Sequence, residues 1–550
     1  MDRGRLTQPC ARGLCESTPE GRRGRSAGGG LSRDPGGYLD NVALGENNVD
    51  RTERDGGRLA FRFQLSDAWQ ADLSAAGQRL RSNDSQYVSQ GMGQNRGNRV
   101  QEAHKNDFAV GALNLRGELP WASLTSSLTY VQHTYSSLYD ATPVAIAGGT
   151  YANLGGDLGV FHETARVSMW VEDFVLRSSR PGPLAWLIGA YATSAIEKTP
   201  SMIGVRTPGG LRTAYRENRH DKVRELALYG EASYGFGDGW TAAAGGRLFE
   251  TRVKTLSDVT TVAPGVSRAF EGERRFSDFS PALSLQKEFA GGELVYLLYS
   301  EGFRNGGFNT GGILPIRASR LTFAPDRLRN YEAGAKLRLL DQRLSARGAV
   351  FFDKWSNLQS DQYRPSGVAY TANAGDARVL GFEAEAAYDF DFGLQLQANL
   401  LLADSDMTRT NPNFSDTALV DALPGVPDVS GGILAVYERP LDGSLTLRLS
   451  GEASYVGEST VSFLSVRAYA QEDYVRGPAR RGGLLQPVVG DDLRHQSGGF
   501  GRRHLRLRQS LHLWRGGAAR DAATPPHPRR QARRRLLTSS TGGRSRPAAS

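Results

Sequence analysis

In RLAFRFQLS (58–66), Leu59, Phe61, Phe63 and Leu65 alternate with Arg58, Ala60, Arg62 and Gln64. Beyond a short turn, Trp69, Ala71, Leu73 and Ala75 alternate with Gln70, Asp72 and Ser74. A period of two puts one apolar and one polar face on an extended strand, because successive side chains point to opposite sides of a sheet. The same pattern returns near the other end of the chain. LTLRLSGEASY places Leu445, Leu447, Leu449, Ala453 and Tyr455 on one face, with Thr446, Arg448, Ser450, Glu452 and Ser454 on the other. LQLQANL (394–400) repeats it.

Eight hairpins of this kind follow one another, at roughly 57–82, 107–135, 160–197, 222–256, 277–303, 329–358, 379–405 and 429–457, giving sixteen strands. Within a hairpin the turn is tight: RPGP (180–183), GDG (237–239), AGG (290–292), DQR (341–343), DFG (391–393) or LDG (441–443). Between hairpins the connections are long and polar, as at 81–106, 199–220 and 310–326. Short turns at one end and long loops at the other are the mark of a membrane barrel. A soluble sandwich also alternates, but its connections do not sort by length in this way. Trp69, Trp121, Trp186, Trp240, Tyr299 and Trp355 near strand ends fit aromatic girdles at the lipid boundary. In lipid every backbone N–H and C=O must be paired internally, which favours a closed sheet. The expected fold is all-β, a transmembrane antiparallel β-barrel.

Composition agrees once its uneven distribution is taken into account. Only 39% of the 550 residues are hydrophobic, and no apolar run approaches the 18 residues that a membrane helix requires. The net charge of +9 is concentrated in residues 477–550, which hold 16 Arg against 3 Asp and leave the rest of the chain at −4. Of those 74 residues, 41 are Arg, Gly, Ala or Pro, without helical or alternating period. Such a tail is expected to be disordered, and a nucleic-acid role would rest on phosphate contacts alone. No nucleic-acid partner is assigned. Cys10 and Cys15 have no second ligand pair, so zinc is not expected. The absence of cysteine elsewhere suits an exported protein, yet the first residues carry no apolar signal region. An incomplete chain is therefore expected.

Motifs of catalysis fail in context. HETAR at His162 begins like a zinc-protease helix, but Arg166 stands where the second His belongs. DFDFG (389–393) ends in a kinase-like DFG but reads as a hairpin turn. GMGQNRG (91–97) misses the dinucleotide fingerprint by one position, with no helix to follow. No catalytic, cofactor-binding or metal-ligating residue is assigned, and an enzyme is not expected.

Longer stretches carry a family resemblance. FAPDRLRNYEAGAKLRLLDQRLSARGAVFFDKWSNLQ (323–359), NAGDARVLGFEAEAAYDF (373–390) with Gly381, Glu383 and Glu385, VYLLYSEGFRNGGFN (295–309) and LPGVPD (423–428) resemble barrel segments of TonB-dependent receptors, in family order. GGYLDN near Gly36 resembles an early barrel strand. The resemblance runs over 36–476, with an irregular segment at 1–35 and the Arg-rich tail at 477–550. It implies a barrel of 22 strands in the outer membrane of a Gram-negative cell, surrounded by lipid and closed by an N-terminal plug. It also implies active uptake of a bulky nutrient such as a ferric siderophore, driven by the TonB complex through a TonB box. Against that pattern no plug or TonB box precedes Gly36, and about three strands are expected to be missing there. The expectation is a truncated receptor. A passive porin-like channel and a non-functional gene remnant are the alternatives. The tail reads as barrel coding sequence taken out of frame, a reading that translation of the other two frames after Tyr474 tests. The ligand and its contacts are not legible. Arg304, Asn305, Tyr363 and Arg364 are candidate contacts for an anionic or sugar-like ligand, against the alternative of loop residues that are merely solvated or packed.

Overall fold

The computed structural model describes residues 24–34, 36–88, 91–143, 146, 151, 154–179, 182–262, 265–364, 368–414, 421–441, 445–463, 470–477 and 484–487. All sixteen expected strands are present. They run Thr52–Gln64, Trp69–Ser82, His104–Glu118, Ala122–Asp140, Leu158–Ser178, Leu184–Thr207, Gly210–Gly237, Trp240–Thr261, Ser267–Glu288, Leu294–Arg304, Asp326–Leu339, Leu344–Tyr363, Ala369–Asp389, Leu394–Thr410, Val429–Pro440 and Leu445–Val456. Each pairs antiparallel with the next in one large meander. The all-β membrane-barrel reading is borne out. Residues 180–181 and 442–444, in two of the expected tight turns, lie outside the described residues, as do 1–23 and almost all of the tail.

Three expectations need correction. Gly24–Arg33, read as irregular, is a strand that pairs with Thr52–Gln64. Its glycine-rich sequence has no apolar period, so propensity gave no signal and the partner's unsatisfied edge supplies the order. At the other end, Tyr474–Arg476 and Leu484–Pro487 both add to Leu445–Val456, the second from within the segment expected to be disordered. The segment 199–220, read as a long polar loop, is instead the continuation of two paired strands around a tight turn at 208–209.

The long strands explain the last correction. Gly210–Gly237 has 28 residues and Trp240–Thr261 has 22, whereas a strand crosses the bilayer in about 9–11. On Trp240–Thr261 one face reads Trp240, Ala242, Ala244, Gly246 and Leu248, then changes to Glu250, Arg252 and Lys254. Leu226, Leu228, Phe236, Leu248 and Phe279 on that side are all more than half exposed, as lipid-facing residues are in a bare chain. Beyond the change the outward face is largely polar and the inward face mixes Thr251, Thr255 and Ser257 with Val253 and Val259, so the alternation disappears while the hydrogen-bonded ladder continues.

Aromatic belts sit at both edges of the apolar band. At the short-turn end Trp121 packs on Trp186 (centroids 6.3 Å), and Tyr234 on Phe236 (5.2 Å). At the other edge lies Tyr130 against Trp170 (4.5 Å), while Tyr299 packs on Tyr331 (5.0 Å) within the band. Trp355 does not belong to a belt: its Nε1 donates to the buried Asp326 carboxylate at 3.0 Å. The inner wall is closely fitted where large rings lie across glycine. A Cβ on Gly189 would stand 2.2 Å from the Tyr229 ring, and one on Gly381 2.1 Å from Phe351. Two small apolar clusters, one around Tyr151, Ile203, Tyr215 and Ile313 and one around Leu358, Phe414 and Phe463, sit at the long-loop end.

Candidate functional site

At the long-loop mouth, the glycine-rich stretch after Leu294–Arg304 folds onto the inner wall. Glu217, only 5% exposed, is the anchor. Its carboxylate accepts from Tyr215 Oη (2.8 Å), Ser257 Oγ (2.7 Å) and Thr310 Oγ1 (2.6 Å). The Gly312 amide donates back to Tyr215 Oη at 3.1 Å. Asn309 grips the neighbouring strand, donating to Thr371 O (2.7 Å) and accepting from Thr371 N (2.9 Å). Thus residues 309–312 are pinned to the barrel wall by the Tyr215 and Glu217 side chains of one strand and by the Thr371 backbone of another.

The glycines have specific tasks. Gly312 has φ +119°, and a Cβ there would fall 1.8 Å from the Arg364 guanidinium. Gly306 and Gly307 instead allow close approach to Phe323, whose carbonyl and ring would meet a Cβ at 2.4 and 2.6 Å. Gly302 lies within the strand and nothing crowds it. The stretch is a rim that turns inward, which agrees with a membrane strand leaving the bilayer.

Three arginines gather around this rim. Arg268 Nη1 donates to Ile313 O at 2.9 Å and its Nη2 to Gly312 O. Arg364 donates to Gly311 O (2.7 Å), Leu314 O (2.8 Å) and Pro315 O (3.2 Å). Arg320 donates to Asn413 O at 2.6 Å. Burial, with Arg268 nearby, lowers the Arg364 guanidinium below the ordinary arginine value. Carbonyl oxygens satisfy donors but do not neutralise charge. Among the described residues none of the three has a carboxylate in ion-pair range, so the rim presents uncompensated positive charge.

The four residues singled out in the sequence separate. Arg304 is committed to structure: it clamps the Asp326 carboxylate, donates to Gln359 O at 3.3 Å and lies over Trp355 at 5.2 Å. The Asn305 carbonyl accepts from Gln359 Nε2 at 3.0 Å. Arg364 stands in the cationic rim, and Tyr363 beside it is 58% exposed. Arg268 and Arg320 were missed, because an arginine within a polar strand extension or a loop has no pattern to mark it.

Deeper in the lumen the wall is polar and paired. Arg247 Nη2 bonds Glu225 Oε1 at 2.6 Å and stacks on Tyr191, while Tyr229 donates to Asp173 at 2.6 Å. Arg347 pairs with Glu385 at 2.5 Å beside a recess of about 590 Å³, whose lining includes Gln397, Asn399 and Glu452. Both family-type glutamates, Glu383 and Glu385, are on this wall. No group of three His, Cys, Asp or Glu among the described residues is placed to hold a metal. His162 meets Ser136 Oγ at 3.0 Å.

A one-sheet meander with a lipid-facing apolar band, aromatic belts, a polar lumen and an inward-folded rim defines an outer-membrane β-barrel of the receptor class. The match to known proteins is then direct. The family described as "TonB dependent receptor-like, beta-barrel" matches residues 17–476, and the chain belongs to it. That family consists of receptors and transporters in the outer membrane of Gram-negative bacteria, not of enzymes. The "Metal-pseudopaline receptor CntO" of Pseudomonas aeruginosa is 26% identical over 287 residues, covering 50% of this chain and 38% of that protein. The chain therefore spans well under half the length of the curated relative it matches. Among solved structures, the ferric yersiniabactin uptake receptor FyuA from Yersinia pestis has a TM-score of 0.69 at 17% identity, over 84% of this chain and 68% of that one. The siderophore receptor PiuA from Acinetobacter baumannii gives 0.65 at 14% identity, over 84% and 71%. At these identities the likeness is one of fold.

Proposed function

We propose that this chain forms the wall and mouth of a receptor that takes up a bulky anionic metal chelate, a ferric siderophore being the type. Binding occurs at the long-loop mouth, passage through the polar lumen, and energy comes from the TonB complex. The observation that carries the reading is the rim of Arg268, Arg320 and Arg364, charged and unneutralised. The relatives support the ligand class, since one is named for metal-pseudopaline, one structural neighbour for ferric yersiniabactin and another for a siderophore.

A bulky chelate with several carboxylate or phenolate oxygens matches guanidinium groups that offer fixed forks of donors. The test is titration of the full chain in detergent with ferric chelates of graded charge, read by tryptophan fluorescence. Saturable binding that weakens with salt and falls roughly tenfold or more in Arg268→Gln/Arg320→Gln is expected, a loss of about 1.4 kcal/mol. Equal binding of neutral and anionic chelates would refute the reading. Conductance of the chain in liposomes addresses the channel alternative: a stable pore unaffected by any chelate would favour passive diffusion.

A further inference from the structure

Five consecutive carbonyl oxygens of the rim, from Gly311 to Pro315, accept hydrogen bonds from only two guanidinium groups. Arg268 donates to those of Gly312 and Ile313, and Arg364 to those of Gly311, Leu314 and Pro315. The fit depends on Gly312, whose backbone lies at φ +119° and whose missing Cβ leaves room for the Arg364 head. An anion that captured either guanidinium would take donors from this backbone, including the buried Gly312 and Ile313. Buried carbonyls left without donors are costly, so these two arginines are committed to holding the rim.

Arg320 is arranged differently. It sits in the single helical turn Ala318–Leu321, where its N–H donates to Arg317 O at 2.9 Å and its carbonyl accepts from Asn309 Nδ2 at 2.8 Å. The Asn309 N–H donates to Leu321 O at 2.8 Å, so the turn is tied to the same residue that grips Thr371. The side chain is braced at Nε, which donates to Asn413 O at 2.6 Å. Among the described residues, Nη1 and Nη2 of Arg320 have no protein partner. The guanidinium is thus fixed at its inner nitrogen and open at its outer edge.

That open edge has a defined chemistry. A guanidinium carries its N–H donors in a planar fork. With Nε occupied, the two outer nitrogens still offer a pair of parallel N–H groups, which a carboxylate accepts with both oxygens in one plane. The oxygens of a ferric catecholate or hydroxamate are bonded to the iron and offer no such terminal pair. A chelator built on carboxylic acids can leave a carboxylate pendant, with both oxygens directed outward. Any anion gains the diffuse attraction of the three arginines, which salt screens, but only the pendant carboxylate also fills the fork.

We propose that Arg320 is the specificity-determining residue of the mouth and selects ferric chelates that carry a pendant carboxylate, while Arg268 and Arg364 are positioning residues that hold the rim. This rests on the reading of the mouth as the site of an anionic chelate. Attraction is shared by all three arginines, and discrimination belongs to the one whose fork is open.

The experiment is isothermal titration calorimetry of the full chain in detergent, with ferric citrate and a ferric tris-catecholate as probes. Ferric citrate should bind at least tenfold more tightly than the tris-catecholate. Arg320→Lys keeps the charge but removes the fork, and should weaken citrate binding at least tenfold while changing tris-catecholate binding less than twofold. Arg268→Gln should speed amide exchange at Gly312 and weaken both chelates in proportion, leaving their ratio unchanged. Folding of each variant is checked by circular dichroism and heat-modifiable migration. Equal affinity for the two chelates, or an unchanged preference in Arg320→Lys, would overturn carboxylate selection and leave the anionic-chelate reading standing. Loss of the ratio in Arg268→Gln would overturn the division of roles. Absence of saturable binding by either chelate would overturn both the selection and the reading on which it rests.

Discussion

Removing one methyl-sized oxygen from the rim should release it from the wall. In Thr310→Val the side chain keeps its shape but no longer donates to the Glu217 carboxylate, a contact of 2.6 Å at a site where Thr310 is 8% exposed. Hydrogen bonds to charged groups contribute about 1.5–3 kcal/mol, so the closed rim should lose about that much relative to a detached one. Glu217 keeps Tyr215 and Ser257, so the wall itself is not left with an unpaired charge. At about 1.4 kcal/mol per decade, opening of 309–313 becomes about 10- to 150-fold more populated.

Amide hydrogen exchange on the full chain in detergent reads this directly. The Gly312 amide is held by Tyr215 Oη, and its protection reports whether the rim is docked. Its exchange should accelerate by that factor, while amides of Trp240–Thr261, held in two ladders, keep theirs. Unchanged exchange at Gly312 would mean that Asn309, Arg268 and Arg364 hold the rim without the threonine. Faster exchange throughout the sheet would mean that the contact serves the whole barrel. Either result refutes a local pin.

Three further outcomes follow from the geometry. Gly189→Ala forces a methyl against the Tyr229 ring, which would stand at 2.2 Å; such overpacking costs about 1–3 kcal/mol and should lower the urea midpoint of the folded barrel. Arg304→Ala leaves the Asp326 carboxylate, 2% exposed, without its cation; loss of one partner of a buried pair costs about 3–5 kcal/mol, and the Trp355 emission should shift as its environment opens. Leu248→Arg, at a position 58% exposed, should cost about 2–4 kcal/mol in lipid vesicles, where a surface site in water would tolerate it; a neutral result would place Leu248 outside the bilayer.

What was legible in the sequence follows from where lipid and water impose a period. Leu59, Phe61 and Phe63 must face lipid while Arg58 and Arg62 face the lumen, so the barrel wall announces itself residue by residue. Tight turns such as that after Phe390 are set by glycine, here Gly393 at φ +89°. Outside the bilayer that imprint is gone. The extension 199–220 is paired along its whole length, yet both faces meet water or packed loops, and nothing in its residue order separates strand from loop. The strand Gly24–Arg33 was hidden for a related reason: its glycines contribute almost no side-chain signal. The candidate site was the least legible part. Glu217 meets Thr310 across 93 residues of chain, and Arg304 was readable as a ligand contact only while Asp326 was not known to be beside it. Long-range partners decide which loop charges are free, and such partners have no local signature.

The depth at which outward side chains change character is a property of the sheet as a whole. Leu228, Leu248 and Phe279 stand in one row across three strands, and all three are apolar. Four residues further along, Arg224, Arg252 and Arg275 stand in one row, and all three are basic. Strand propensity does not distinguish the two rows, because the backbone pairing is the same in both. Cross-strand energetics would disfavour the second, since like charges face each other there. A boundary shared by independent strands, at the cost of local repulsion, requires something external that changes across it. Hydrocarbon below and charged headgroups above supply that change. The row of arginines is thus evidence of membrane placement that is independent of the family match.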